Sequence, residues 1–105
     1  MSSHLEFPVY AGLVDERLSF GDWLIDQWDH LGRGSWSAER FARELGVSGQ
    51  AVRDWLDGAK PRRGVVLKIA RALNVPVNEV KLRAGYYLSE TELRDVMEWR
   101  KRDQE

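Results

Sequence analysis

The chain has 105 residues, 43% hydrophobic and 31% charged, with no cysteine and a net charge of −1. That is the length and composition of one globular domain and excludes a disordered or fibrous chain. Without cysteine there is neither a disulfide nor a thiolate metal site, no apolar stretch approaches the roughly 20 residues that span a bilayer, and the N-terminus lacks the pattern of a signal peptide.

Charge is unevenly placed. Residues 1–32 hold one basic and six acidic side chains, residues 33–71 nine basic and four acidic, and residues 72–105 six basic and seven acidic. The middle third is therefore the electropositive part, and a local basic surface matters more for phosphate binding than the chain total does. No internal repeat appears, and no stretch alternates cleanly enough to predict a strand.

Residues 1–18 carry Ser2, Ser3, Pro8 and Gly12 without a sustained period and read as an N-terminal arm, with a short ordered piece around Tyr10 to Val14. A first helix is expected from Ser19, a capping residue with Asp22 three positions on. Phe20, Trp23, Leu24, Trp28 and Leu31 form its apolar stripe, ended by Gly32 and Gly34. Ser37 starts a second helix. Trp36 and Phe41 stand at hydrophobic-staple spacing, Ala38, Phe41, Ala42 and Leu45 face one way, and Gly46 stops the run. After Val47, Ser48 caps a third helix with Val52, Trp55 and Leu56 on its apolar face, closed by Gly58. A fourth helix is predicted from Arg63 to Leu73 with Val66, Leu67, Ile69, Ala70 and Leu73 as core, ending at Asn74. A short fifth runs from about Asn78 to Ala84. The sixth has the clearest start: Ser89-Glu90-Thr91-Glu92 is a capping box, with Leu88 and Leu93 at staple positions.

Two short amphipathic helices joined through Gly46-Val47-Ser48 are the arrangement in which the second helix can project into a major groove. The glycine supplies the positive φ a tight turn needs, and Ala42 lets the helices approach. The segment SAERFARELGVSGQAVRDWLDG resembles the helix-turn-helix of the lambda-repressor-like, or Cro/Xre, family of DNA-binding domains, through Phe41, Ala42, Leu45, Gly46, Val47, Val52 and Trp55. Upstream, FGDWLIDQW resembles that family's first helix. Downstream, Lys60-Pro61-Arg62-Arg63 and VLKIARALNVPVNEV resemble its fourth and fifth. The resemblance covers about residues 19–85 and implies an all-α, five-helix DNA-binding domain, with the helix-turn-helix at 37–58 and residues 86–105 as an extra C-terminal helix. It further implies a cytoplasmic transcriptional regulator, a prokaryotic, phage or plasmid repressor, that binds double-stranded DNA as a homodimer and needs no cofactor.

With Val52 and Trp55 inward, Gln50, Arg53, Asp54 and Asp57 point outward at 100° per residue. Gln50 can pair with adenine, Arg53 with guanine or a phosphate, and Asp54 with cytosine N4, though Asp54 could equally repel the backbone. Ser48 can donate from the helix N-terminus, where backbone N–H groups favour anions. Gly49 offers no side chain. The bland alternative is a solvated face with Arg53 and Asp57 as an i,i+4 pair. Phosphate contacts are expected from Ser37, from the Lys60, Arg62 and Arg63 cluster, and secondarily from Arg40 and Arg43. Dimerisation is assigned to Leu93, Val96, Met97 and Trp99 on helix six, against the alternative that this helix packs on its own domain. An enzyme has little support: His4 and His30 stand isolated, and Asp22, Asp26 and Asp29 read as a solvated acidic face in preference to a metal site. The competing function is an antitoxin or interaction module that uses the same fold to hold a protein partner.

Overall fold

The computed structural model describes residues 19–103; the arm at 1–18 lies outside the described residues. These residues form six helices and no strand: α1 (Phe20–His30), α2 (Ala38–Leu45), α3 (Gly49–Leu56), α4 (Arg63–Leu73), α5 (Val77–Arg83) and α6 (Glu90–Asp103). The fold is all-α, as expected.

Helix starts follow the serines. Oγ of Ser19, Ser37 and Ser48 accepts from the N–H of Asp22, Arg40 and Ala51 at 3.1, 3.2 and 3.1 Å, each satisfying a backbone donor that the first turn leaves without a partner. Helix ends follow the residues that tolerate positive φ. Gly46 (φ 74) and Asn74 (φ 57) let the next residue fold back, so that Val47 N–H reaches Ala42 O and Val75 N–H reaches Ala70 O, both at 3.0 Å. Helix α5 starts at Val77, one residue before the sequence signal, because the Pro76 carbonyl already accepts from Glu79 and Val80.

The main core gathers Trp23, Leu24 and Trp28 of α1, Phe41, Ala42 and Leu45 of α2, Val52 and Trp55 of α3, and Val66, Ile69, Ala70 and Leu73 of α4, closed by Val80 of α5. Trp28 sits edge-on to both Trp36 and Phe41, each 5.8 Å between centroids, a geometry that suits the ring quadrupoles. Its buried indole N–H donates to Gly34 O at 3.0 Å and so ties down the α1–α2 loop. Leu67 departs from the expectation. It is 43% exposed, because Val66, Ile69, Ala70 and Leu73 fill the inward stripe and the next position after Val66 is turned 100° to the side.

Helix α6 packs on α5 through a second cluster of Leu82, Leu88 and Val96 flanked by Leu93. Its capping box closes in both directions: Ser89 N–H donates to Glu92 Oε1 at 2.8 Å, and Glu92 N–H to Ser89 Oγ at 3.1 Å. Lys81 of α5 donates to the other oxygen of Glu92 at 2.6 Å. Those two donors, Lys81 first, hold the Glu92 carboxyl below its ordinary value of 4.5. A group with a depressed folded pKa stabilises the fold above its unfolded pKa and loses that contribution as pH falls through the folded one. The acid limb of a stability–pH curve, below pH 4.5, is therefore expected to be shallower in Glu92→Gln than in the parent. Identical acid limbs in chemical denaturation would contradict this.

Candidate nucleic-acid interface

Helix α3 owes its position to two packing surfaces. Val52 and Trp55 anchor it in the core, and α2 packs against it across the Gly46–Val47–Ser48 turn. Its other edge meets α1 at Gly21, where a Cβ would lie 2.7 Å from Cα of Leu56. With one side so fixed, Gln50, Arg53, Asp54 and Asp57 are left exposed. They are not independent of one another. Gln50 Nε2 donates to Asp54 Oδ1 at 2.9 Å, and Arg53 donates to Gln50 Oε1 at 3.5 Å and to the Glu39 carboxylate of α2. The i,i+4 partner considered for Arg53, Asp57, is not the one it takes: the guanidinium points toward the helix N-terminus and across to α2.

Ser48 and Ser37 are engaged as helix caps through Oγ, which leaves each hydroxyl its proton to donate. The first turn of α3 carries no acidic residue. The loop that follows this helix carries Lys60 and Arg62 and leads into Arg63 at the start of α4, all three exposed. The sequence gives no hint of what orders it. The Tyr86 hydroxyl donates to Pro61 O at 2.7 Å, the Lys60 ammonium lies 4.5 Å from the Tyr86 ring centroid, and the Arg63 guanidinium lies 5.5 Å from it on the same ring. Lys60 Nζ also donates to Gly85 O at 3.4 Å. A single aromatic 25 residues downstream thus holds two cations in place. Arg62 and Arg63 stand at the N-cap and first position of α4, where the helix dipole disfavours cations; an anion at that place would relieve both.

The remaining candidates separate. Arg40 lies over Trp28, 5.4 Å from its ring, and beside Gly34, toward the α1–α2 loop. Arg43 is exposed in the last turn of α2. On α6, Val96 is buried against Leu82 and Leu88 of its own chain and is withdrawn from the dimerisation surface, since no second copy can reach it. Met97 is 51% exposed, between Leu93 and the charged residues Glu90, Arg94, Glu98 and Lys101. Trp99 is half-buried beside Leu67, Val75 and Val77. Asp22, Asp26 and Asp29 are exposed along α1, and His30 donates from Nδ1 to Asp26 O at 2.8 Å, which with the Asp26 carboxylate raises its pKa above 6.5. Among the described residues no group of three or more such side chains is placed to hold a metal ion, and no helix is long and apolar enough to cross a membrane.

A capped pair of short helices with the second exposed along one side, flanked by a braced basic loop, defines a helix-turn-helix DNA-binding domain. Comparison with known families agrees. Residues 33–80 match a family model described as helix-turn-helix, and this segment is a DNA-binding domain of the lambda-repressor-like kind. No curated protein and no solved structure matches the chain.

Proposed function

We propose that the protein is a sequence-specific transcriptional regulator, a repressor of the prokaryotic, phage or plasmid type, that places α3 in the major groove of an operator. The observation that carries this reading is the exposure of Gln50 and Arg53 on α3, together with the exposed, Tyr86-braced cations Lys60 and Arg63 that follow this helix in the chain. Groups that read base edges and groups that fix register on phosphates are both needed, and the exposed side chains of α3 and the cations that follow it have the chemistry for each. One short helix reads only a few base pairs, so the protein is proposed to act as a homodimer. Leu93 and Met97 of α6 supply the apolar part of that contact, with Glu90 in the first turn and Lys101 in the last able to pair in an antiparallel arrangement.

Selection from random duplex DNA tests the whole proposal. The expected product is a pseudo-palindrome whose half-sites are centred about one helical turn apart. Gln50→Ala is expected to relax one base pair and weaken binding by about 1–3 kcal/mol. Arg62→Ala is expected to weaken all sequences alike and flatten the salt dependence by about one phosphate. A single, non-repeated half-site would remove the dimer. No selected sequence at low salt, together with a co-purifying protein, would favour the antitoxin or interaction-module reading.

A further inference from the structure

The reading face of α3 is tied to a carboxylate on the neighbouring helix. Nη1 of Arg53 donates to Oε2 of Glu39 in the first turn of α2, while Nη2 reaches Gln50 Oε1 at 3.5 Å and Gln50 in turn donates to Asp54. Glu39, Arg53, Gln50 and Asp54 thus form one continuous chain of side chains across two helices. Gly49 gives it room: a Cβ there would sit 3.3 Å from Arg53 Nη1 and 3.4 Å from Glu39 Oε2. The absence of a side chain at this first position of α3, which looks like a lost reader, leaves the pair uncrowded where it closes over the helix N-terminus. One guanidinium is shared among groups carrying two negative charges, so the face that should meet an acidic polymer is itself acidic.

We propose that Glu39 is a specificity-determining residue of this interface, because its carboxylate competes with DNA for the Arg53 guanidinium. The inference rests on α3 being the reading helix. Guanine presents O6 and N7 as two acceptors spaced for an arginine fork. Where the operator offers guanine, Arg53 leaves Glu39 for it; where another base stands there, Arg53 stays with Glu39 and contributes nothing. The preference for guanine is therefore the strength of the arginine–guanine contact less that of the arginine–carboxylate contact. The two side chains are 47% and 62% exposed, and an ion pair that open to water is worth a factor of about two to five in an equilibrium. The charge of Glu39 also opposes the phosphate backbone, an effect that weighs on every sequence equally.

These two effects of one carboxylate are separable. Binding is measured for the parent, Glu39→Gln, Arg53→Ala and the double variant, each against the selected duplex and its single-base variants, with thermal melts to confirm folding. Glu39→Gln is expected to tighten binding to all duplexes and, beyond that, to raise the guanine preference at the Arg53-dependent position by about two- to five-fold. The rise in preference is expected to vanish in the Arg53→Ala background, while the uniform tightening survives. Uniform tightening alone in both backgrounds, or an Arg53→Ala variant with unchanged base preference, would overturn the role of Glu39 and leave the DNA-binding reading intact. A parent protein that selects no sequence would overturn both.

Discussion

Glu79→Ala is expected to destabilise the fold by about 2–3 kcal/mol and lower Tm by roughly 10–20 °C. Glu79 is the one buried charged residue among those described, 2% exposed between α5 and α6. Its carboxylate accepts from three guanidinium N–H groups: Arg83 Nε at 2.9 Å from its own helix, and Arg100 Nε and Nη2 at 2.8 and 2.9 Å from α6. The Arg83 guanidinium also lies 5.6 Å from the Trp23 ring, so the fork links α6 through α5 to α1. Removing one member of a buried ion pair leaves the others desolvated without a partner, which commonly costs about 3–5 kcal/mol. The lower figure is expected here because the two arginine side chains are 18% and 22% exposed and can recover some water. Arg100→Ala should cost less, since Arg83 still satisfies the carboxylate, and its effect should concentrate in α6. Hydrogen exchange of residues 90–103 reads this directly: faster exchange there with a nearly unchanged core is the expected pattern. A Glu79→Ala variant within about 0.5 kcal/mol of the parent in denaturant titrations would mean that the apolar contacts of Leu82, Leu88 and Val96 hold α6 without help.

Which of these features the sequence could reveal depends on how far apart their parts lie in the chain. Caps and stops are local. Ser19, Ser37, Ser48 and Ser89 announce four helix starts, and Gly46 and Asn74 two ends, because each acts within about five residues of itself. Inward stripes are legible for the same reason, although Leu67 shows their weakness: several apolar residues in one turn compete for one face, and only the neighbouring helices decide which is turned out. The outward arc of α3 follows from the inward one by rotation alone. Pairings across the fold carry no such signal. Nothing local to Glu79 points to Arg100, nothing at Arg53 points to Glu39, and Tyr86 looks like any aromatic near a helix end until it is seen under Lys60 and Arg63. The electrostatic character of the outward face of α3 is therefore visible only in the structure, while the frame that presents it is open to the sequence.

Gly21 belongs to the same hidden class, and its replacement is the second large effect expected. In sequence it is a glycine in the first turn of α1, where alanine would ordinarily favour the helix by up to about 1 kcal/mol. In the fold, a Cβ at that position would stand 2.7 Å from Cα and 2.9 Å from Cδ2 of Leu56. The side-chain contact could be relieved by a rotamer change, but the contact with Leu56 Cα cannot, because it is backbone. α1 and the end of α3 must then separate. Overpacking of this kind costs about 1–3 kcal/mol and exceeds the propensity gain, so Gly21→Ala is expected to be destabilising by about 1–2 kcal/mol and Gly21→Val by about 3 kcal/mol or more. Leu56→Ala in the Gly21→Ala background should recover only part of the loss, since it removes Cδ2 and leaves Cα in place. Because Leu56 is the last residue of α3, the displacement falls on the helix proposed to read DNA. Operator affinity should drop in Gly21→Ala even at temperatures where the variant is fully folded. If Gly21→Ala proves as stable as the parent, the α1–α3 contact has slack to yield, and the seating of α3 depends on Val52, Trp55 and its packing against α2.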